Sequence, residues 1–230
     1  MMTNRRNGAT AGISLRIPVR LHLRQDLHLL RKAWHCLMGL LMVAVFLSGL
    51  SRSTAVLILG SLLGFNLIIE LGRLQLPALN EAVMRFWGPI MRSCEVNRMS
   101  GTPYYLGSAL IAVGIFPKPI AALSLLFLAC GDPMASLVGI LYGKLGPRFS
   151  NGKSLIGTLG GVATCLLVSI VFWNVFPAVR GTDFFALVVL GGLTGGLAEL
   201  VPLDVDDNFA IPVVSGFSLW LACLLLGIPV

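Results

Sequence analysis

The sequence predicts an all-α polytopic membrane protein with about seven transmembrane helices and one amphipathic helix at the membrane interface. Three observations predict this class: 56% of the 230 residues are hydrophobic, only 12% are charged, and several apolar runs are about 20 residues long. An ordinary soluble chain is about 25% charged, so this composition excludes a water-soluble protein. Because no linker-like or repetitive segment interrupts the chain, we expect a single membrane-embedded domain over 1–230.

The apolar runs define the predicted spans, which are 34–50, 54–71, 103–116, 119–142, 155–176, 184–201 and 210–229. The third run is short for a hydrocarbon core of about 30 Å, so it would have to tilt or thin the membrane locally. Between the second and third runs, 77–98 alternates apolar and charged residues and carries Phe86 and Trp87. This pattern is typical of an amphipathic helix that lies on the membrane surface.

Most of the positive charge lies at the N-terminus, where the leader 1–32 contributes +6 of the formal net charge of +7. We expect this basic leader to be cytoplasmic and to contact anionic lipid head groups rather than nucleic acid. With that orientation and seven spans, 14 of the 17 cations face the cytoplasm, which satisfies the positive-inside rule. The expected location is the plasma (inner) membrane of a prokaryote, with the polar clusters on its cytoplasmic face.

Asp132 lies within the predicted fourth span, where a lone carboxylate costs about 2.5–3.5 kcal/mol and therefore needs a partner or a function. Pro133 lacks a backbone donor and suits the first turn of a helix, so Gly131-Asp132-Pro133 predicts a break into two half-helices. Asp132 then either caps the second half-helix or has a catalytic or metal-binding role. Ser136 and Gly139 extend a small, polar-tolerant stripe from Asp132 towards the cytoplasm.

The next loop, 143–154, carries three glycines and three cations directly before a span. Backbone donors at a helix start, together with a lysine and a hydroxyl, are typical of phosphate binding. A Walker A motif is excluded because Pro147 stands where a glycine is needed and no strand precedes it. An ordinary charged cytoplasmic loop is the alternative. The candidate phosphate-binding residues are Lys153, Ser154, Gly152, Asn151, Lys144, Arg148 and, from the stripe, Ser136.

Four acidic residues lie within nine positions near the last span and precede Asn208; they are Glu199, Asp204, Asp206 and Asp207. One acid would be enough to cap a helix. Mg²⁺ takes oxygen ligands and is commonly shared with substrate phosphates, so this cluster predicts a metal site. The candidate metal ligands are Asp132, Asp206, Asp207 and Glu199. A solvated helix-capping loop is the alternative.

Two further polar groups lie near the cytoplasmic ends of the first two spans. Glu70 and Arg73 are three residues apart on one helical face, a spacing that favours a structural ion pair over a catalytic one. His35 lies just inside the first span and is a base, a phosphate ligand or an ordinary interfacial histidine.

Together these motifs resemble one family, in the order that the family has, over about 31–217. The residues are Arg31, Lys32, His35 and Gly39, Glu70 with Arg73, Gly-Asp-Pro-Met-Ala-Ser at 131–136, Asn-Gly-Lys-Ser at 151–154, and Glu199 with Asp-Asp-Asn at 206–208. They resemble the CTP-dependent polyprenol kinases, a family that includes dolichol kinase, phytol kinase and CTP-dependent diacylglycerol kinase.

The resemblance implies an enzyme that transfers the γ-phosphate of CTP to a membrane lipid alcohol, with Mg²⁺ as cofactor and the site at the cytoplasmic surface. The acceptor would be a polyprenol or dolichol, phytol or diacylglycerol. Positioning and charge neutralisation dominate phosphoryl transfer, so the metal ligands and cations named above would carry most of the catalysis. Either Asp132 or Glu70 would take the proton of the acceptor hydroxyl.

Two other functions share features of this sequence. A CTP:phosphatidate cytidylyltransferase also combines CTP, Mg²⁺ and a lipid, but its C-terminal signature is longer and richer in charged residues. A membrane transporter can use a broken helix and intramembrane carboxylates. Here the polar clusters gather at one face without a matching inverted half, which favours an enzyme.

Overall fold

The structure is a computed structural model that describes residues 28–176, 182–201 and 205–229. Within these ranges the α-helices are, in chain order, α1 (Leu29–Leu47), α2 (Arg52–Gln75), α3 (Pro77–Trp87), α4 (Gly101–Ile115), α5 (Lys118–Leu126), α6 (Asp132–Tyr142), α7 (Leu155–Val175), α8 (Thr182–Leu197) and α9 (Asp207–Leu226). A π-helical turn, Phe127–Gly131, joins α5 to α6. The described residues form no β-sheet, and only one isolated bridge pairs Arg148 with Ser154.

Six helical segments of the described chain are long and apolar enough to cross a membrane, which confirms the all-α polytopic class. They are Leu29–Leu47, Arg52–Gln75, Lys118–Leu145, Leu155–Val175, Asp183–Leu200 and Asp207–Leu226. The remaining predicted span, 103–116, is α4, a helix of 15 residues. At 1.5 Å per residue it is about 22 Å long, shorter than a hydrocarbon core of about 30 Å.

Helix α4 nevertheless runs between the same two ends of the bundle as its longer neighbours. At its C-terminal end, Arg52 at the start of α2 donates a hydrogen bond of 2.8 Å to the carbonyl oxygen of Phe116. At its N-terminal end, Asn208 at the start of α9 donates a bond of 3.4 Å to the carbonyl oxygen of Gly101. These contacts place seven helical passes between the two ends of the described bundle.

The predicted amphipathic helix over 77–98 is longer than the helix that the structure shows. Helix α3 ends at Trp87, and short 3₁₀ turns follow at Gly88–Ile90 and Ser93–Val96. Pro89 ends the α-helix because it has no backbone N–H to donate and its ring clashes with the carbonyl group four residues earlier. Phe86 is 80% exposed, as expected for an interfacial aromatic residue.

The core is formed around α5. Every residue from Ile120 to Leu125 is buried, and Phe127 and Leu128 of the π-helical turn are fully buried as well. A helix that is buried on all sides lies in the middle of a bundle, with its neighbours between it and the surroundings. The segment that carries Asp132 is therefore held on a central, closely packed element.

Candidate active site

A cavity of about 590 Å³ opens at one end of the bundle, here called the site end. It lies where α1, α7 and α9 begin and where α6 and α8 end. Its charged and polar lining residues are His28, Arg31, Lys32, His35, Arg92, Ser93, Asp132, Ser136, Arg148, Lys153, Ser154, Thr158, Glu199 and Asp207. Residues far apart in the sequence thus converge on one volume.

Asp132 lies on a continuous helical segment, so the predicted break into two half-helices is wrong. Its backbone N–H donates to the carbonyl oxygen of Phe127, five residues earlier, which closes the π-helical turn. Pro133 explains the wider turn, because it lacks an N–H and its ring would clash with the carbonyl of Ala129 in a regular α-helix. The Asp132 side chain, in the first turn of α6, lines the cavity.

The loop before α7 forms a compact turn, here called the phosphate turn (147–155). The backbone N–H of Phe149 donates to the carbonyl of Lys153 at 2.8 Å, and that of Leu155 donates to the carbonyl of Pro147 at 3.0 Å. Gly152 has φ 81°, a left-handed conformation that favours glycine. Ser154 caps α7 by accepting a bond of 3.0 Å from the backbone N–H of Gly157. The cap directs the first turn of α7 at the cavity.

Lys153 lies at the centre of a charged cluster. Its Nζ donates to Asp207 Oδ1 at 2.7 Å and to the carbonyl oxygen of Glu199 at 2.8 Å, and it is 3.5 Å from Glu199 Oε2. Thr158 Oγ1 donates to Glu199 Oε1 at 2.7 Å. The cation and two of the predicted metal ligands are therefore neighbours in one network.

Two predicted site residues at the start of α9 do not line the cavity and have structural partners. Asp206 caps α9 by accepting a bond of 2.9 Å from the backbone N–H of Asn208, and its other oxygen is 2.9 Å from Arg92 Nη1. Asn208 is buried, and its carbonyl oxygen accepts a bond of 2.8 Å from Ser108. Both residues fasten α9 to its neighbours. The candidate Asp204 lies outside the described residues.

Glu70 and Arg73 form a buried bidentate ion pair, with both nitrogen to oxygen distances at 2.8 Å. Glu70 also accepts a bond of 2.7 Å from the backbone N–H of Ser100. Arg73 donates to three carbonyl oxygens of the segment before α4, which belong to Glu95, Val96 and Arg98. The pair lies outside the cavity lining, so the geometry favours its structural role over the alternative of a catalytic base.

The remaining candidates differ in their access to the cavity. His35 lines it and donates a hydrogen bond of 3.3 Å to the carbonyl oxygen of Leu128. Lys144 and Asn151 are exposed and do not line it, and the Asn151 side chain accepts a bond of 3.1 Å from the backbone N–H of Lys153. Asn151 thus shapes the phosphate turn.

Arg92 is a cavity residue that the sequence analysis assigned only to the amphipathic segment. Burial acts to lower the pKa of Arg92, but the Asp206 carboxylate outweighs it, so the pKa is raised and the guanidinium stays charged. Glu95, which is 5% exposed, holds the backbone N–H of Arg92 at 2.9 Å and Arg31 Nη1 at 3.4 Å. No spacing along the chain indicates this contact, because 64 residues separate Arg31 from Glu95.

The donor set suits Mg²⁺ only in combination with a phosphate ligand. Within the described ranges, no three His, Cys, Asp or Glu side chains lie close enough together to hold a metal ion by themselves. Mg²⁺ usually takes one or two carboxylates and completes its shell with water and substrate phosphates. Asp132, Glu199 and Asp207 face one cavity and interact electrostatically, so they fit that pattern.

Comparison with known proteins identifies the family. CTP-dependent diacylglycerol kinase 1 of Schizosaccharomyces pombe is 33% identical over 203 residues, which cover 83% of this chain and 91% of that protein. The chain belongs to the family of CTP-dependent lipid kinases. Another relative of this lipid kinase, the enzyme of the same name from Saccharomyces cerevisiae, is 28% identical over 80% of the chain and 70% of its own length. The phytol kinase of Synechocystis is 35% identical over 60% of the chain and 62% of its own length.

These relatives confirm that the protein is a lipid kinase, and the six long apolar helical segments of the described chain are those of an integral membrane protein. Yeast proteins are among them, so they give no support to the predicted prokaryotic inner membrane. No protein-family model matches the chain, and no solved structure matches it.

Proposed function

We propose that this lipid kinase transfers the γ-phosphate of CTP to the hydroxyl group of a membrane lipid alcohol, with Mg²⁺, in the cavity at the site end. The observation that supports this proposal is the convergence of Asp132, the phosphate turn and the carboxylates of Glu199 and Asp207 on one cavity of an apolar bundle. The names of the relatives support CTP as donor, and diacylglycerol or phytol as the class of acceptor.

The phosphate turn and α7 supply the donor side of the site. Lys153 and Arg148 are cations on the cavity wall, and Ser154 places the first turn of α7 beside them. Backbone N–H groups at a helix start and fixed cations stabilise a triphosphate and the charge that develops during its cleavage. The triphosphate would compete with Glu199 and Asp207 for the Lys153 ammonium group, which exchanges ion-pair partners without a large movement.

The carboxylates would hold the cofactor. Asp132 and Asp207 are the proposed Mg²⁺ ligands, with Glu199 beside them, because all three face the cavity. Bound Mg²⁺ would neutralise charge on the phosphate oxygens. Asp206 is the weaker candidate, because its two oxygens already serve the cap of α9 and the ion pair with Arg92.

Asp132 is the proposed proton acceptor for the hydroxyl group of the lipid alcohol. The acceptor hydroxyl oxygen attacks the γ-phosphorus, the bond from that phosphorus to the bridging oxygen breaks, and CDP leaves. The hydroxyl proton passes to the Asp132 carboxylate as the new ester bond forms. Glu70 is less suited to this role, because its carboxylate already binds Arg73 and Ser100 outside the cavity lining.

We place the site end on the cytoplasmic face of the membrane. The phosphate turn, α1 and the 92–98 segment carry cations at this end, as the positive-inside rule requires of cytoplasmic segments. The opposite end of the described bundle carries Arg52 and Lys118.

The deciding experiment follows the phosphorus. The purified protein is incubated with Mg²⁺, a panel of lipid alcohols plus phosphatidate, and CTP labelled at either the α- or the γ-phosphate. We expect label in the organic phase from γ-labelled CTP only, with CDP as the second product. Lipid that carries α-label would establish a cytidylyltransferase instead, and absence of label from both donors would exclude both transferases.

A further inference from the structure

Arg92 is fixed at both its backbone and its side chain. Its backbone N–H donates a hydrogen bond of 2.9 Å to Oε2 of Glu95, a carboxylate that is 5% exposed. Its guanidinium group donates a bond of 2.9 Å from Nη1 to Oδ2 of Asp206. Arg73 holds carbonyl oxygens further along the same segment. A long side chain that is held in this way has little conformational entropy left to lose when it binds an anion.

The guanidinium group of Arg92 retains donors for a ligand. Both of its contacts with carboxylates involve Nη1, which lies 2.9 Å from Asp206 Oδ2 and 4.0 Å from Glu95 Oε1. A guanidinium group has five N–H donors in a planar fork that matches two oxygens of a phosphate group. The Arg92 side chain is 44% exposed and lines the cavity. It can therefore keep its bond to Asp206 and still donate to a ligand in the cavity.

The part of the cavity wall that carries Arg92 is basic. The described lining residues of α1 and of the 92–94 segment include the cations Arg31, Lys32 and Arg92 and no carboxylate. The carboxylates of the lining belong to α6, to the turn after α8 and to the start of α9; they are Asp132, Glu199 and Asp207. An anionic group beside Arg92 is therefore stabilised by several cations without repulsion from a carboxylate of the same wall.

Arg92 is also close to the proposed proton acceptor. Arg92 interacts electrostatically with Asp132, and so does Lys153 of the phosphate turn. The start of α9 fixes both cations, because Asp206 binds Arg92 and the neighbouring Asp207 binds Lys153 at 2.7 Å. Two cations from different segments of the chain are thus held near the carboxylate at which the acceptor hydroxyl would react.

We infer that Arg92 is a catalytic residue whose guanidinium group binds the peripheral oxygens of the γ-phosphoryl group while that group moves from CDP to the lipid hydroxyl. This inference rests on the proposed function. As the acceptor oxygen bonds to the γ-phosphorus, the bond to the bridging oxygen of CDP breaks and the hydroxyl proton passes to Asp132. Negative charge is spread over the three peripheral oxygens in this transition state, so a fixed cation beside them stabilises it. Lys153 remains with the phosphates of the leaving CDP.

The test measures whether Arg92 and the γ-phosphoryl oxygens act together. Two donors are compared, CTP and its analogue in which sulfur replaces one peripheral γ-oxygen, because sulfur is a weak hydrogen-bond acceptor. The ratio of kcat/KM for CTP to kcat/KM for the analogue is here called the thio effect. It is measured for the wild type, Arg92→Ala and Arg92→Lys. Arg98→Ala is the matched control, since Arg98 is an exposed arginine of the same segment that does not line the cavity.

We expect Arg92→Ala to lower kcat by about 10²–10³-fold and to leave KM for CTP within about threefold of wild type, because the contact is made in the transition state. Arg92→Lys keeps the charge but loses the planar fork, so its kcat should lie between the two. The thio effect should be at least about fivefold smaller in Arg92→Ala than in the wild type, because the contact that sulfur weakens is already absent. Arg98→Ala should keep the wild-type kcat and thio effect.

The thio effect compares two rates of one preparation, so it does not depend on the fraction of a variant that is folded. A purely structural role of Arg92 would lower both rates by the same factor. An unchanged thio effect in Arg92→Ala, or in Arg92→Lys where the alanine variant is too slow to assay, would therefore overturn the inference. A wild-type kcat in Arg92→Ala would also overturn it and leave the kinase assignment intact. A wild-type protein that transfers no γ-phosphate to any lipid alcohol would overturn the proposed function itself.

Discussion

At the scale of single residues, the cavity wall carries acidic and basic side chains next to each other. Lys153 is shared between Asp207 and Glu199, and Asp132 lies within electrostatic range of all three groups. A cavity with this mixture of fixed charges can accept a triphosphate and a divalent cation together, because each added charge finds an opposite partner. The first two predictions test one acidic residue and one basic residue of this cavity separately.

The first prediction concerns Asp132. Asp132→Asn keeps the shape of the side chain but removes the charge and the proton acceptor. We expect kcat to fall by about 10²–10⁴-fold, the usual contribution of a positioned base, while the protein stays folded in detergent. Asp183→Asn, at the start of α8 and the opposite end of the bundle, is the matched control and should retain activity. Full activity of Asp132→Asn would remove Asp132 from the mechanism.

The second prediction concerns Lys153. Lys153→Gln removes the cation from the phosphate turn, and we expect kcat/KM for CTP to fall by about 100-fold, as when one stabilising donor of a transition state is lost. Lys144→Gln removes an exposed lysine nine residues earlier that does not line the cavity, and it should change the same quantity by less than about threefold. Steady-state kinetics with varied CTP measure both variants. Equal losses would mean that overall charge matters and the cavity position does not.

At the scale of elements, the buried ion pair of α2 organises the segment that leads to α4. Arg73 holds three carbonyl oxygens of that segment, and Glu70 holds its Ser100 N–H group. The same segment carries Arg92 to the cavity wall and Glu95 to Arg31. An ion pair outside the cavity lining thus determines where two cavity cations lie.

The third prediction tests that structural role. Glu70→Ala leaves the Arg73 guanidinium buried without its carboxylate, which typically costs about 3–5 kcal/mol. We expect a clear decrease in the thermal unfolding temperature in detergent, measured by a fluorescence or light-scattering melt. Glu81→Ala, on the exposed surface of α3, is the matched control and should melt as the wild type does.

The kinetics of Glu70→Ala separate the two roles that the sequence left open. The fraction that remains folded below its melting temperature should retain a kcat within about tenfold of wild type, since Glu70 is not a proposed proton acceptor. A normal melting temperature combined with loss of kcat would instead assign Glu70 to catalysis.

At the scale of the whole molecule, the clusters around Asp132, Lys153 and Glu70 lie at one end of the seven helical passes that the described residues form. This arrangement holds even though α4 is only 15 residues long, because Arg52 and Asn208 fix its two ends to α2 and α9. A lipid kinase needs this asymmetry, since its nucleotide is in water and its acceptor is in the bilayer. This asymmetry predicts that reagents in solution reach the two ends of the bundle from opposite sides of the membrane.

The fourth prediction is the labelling pattern of single cysteines. In a Cys94→Ser background, which removes a cysteine that is exposed, cysteines at Ser150 and Val205 should react with an impermeant maleimide from the cytoplasmic side of sealed vesicles. A cysteine at Ser48, beyond the end of α1, should react only from the opposite side. Labelling of Ser150 and Val205 from opposite sides would contradict a single site at one end.

The order of the motifs along the chain, together with the hydropathy, was enough to predict the helical membrane class, a glycine-rich turn before α7 and the position of Asp132 within an apolar helical segment. These features depend on local sequence: runs of apolar residues, a glycine-rich turn and a carboxylate without neighbours of opposite charge. The predicted break at Pro133 was wrong. A π-helical turn accommodates the missing N–H group and the ring of Pro133 without interrupting the helix, and the sequence does not distinguish such a turn from a break.

What the sequence by itself determined is which residue types are available and on which side of each apolar run they lie. Only the tertiary structure decided which of them meet: that Asp207 and Glu199 surround Lys153, that Asp206 caps α9 and binds Arg92, and that Glu70 lies outside the cavity lining. The physical reason is that neighbouring acidic residues have the same local sequence environment, whereas the groups that they bind belong to other helices. The angle between packed helices, set by contacts such as Gly39 against Ala129, determines which partner each carboxylate reaches.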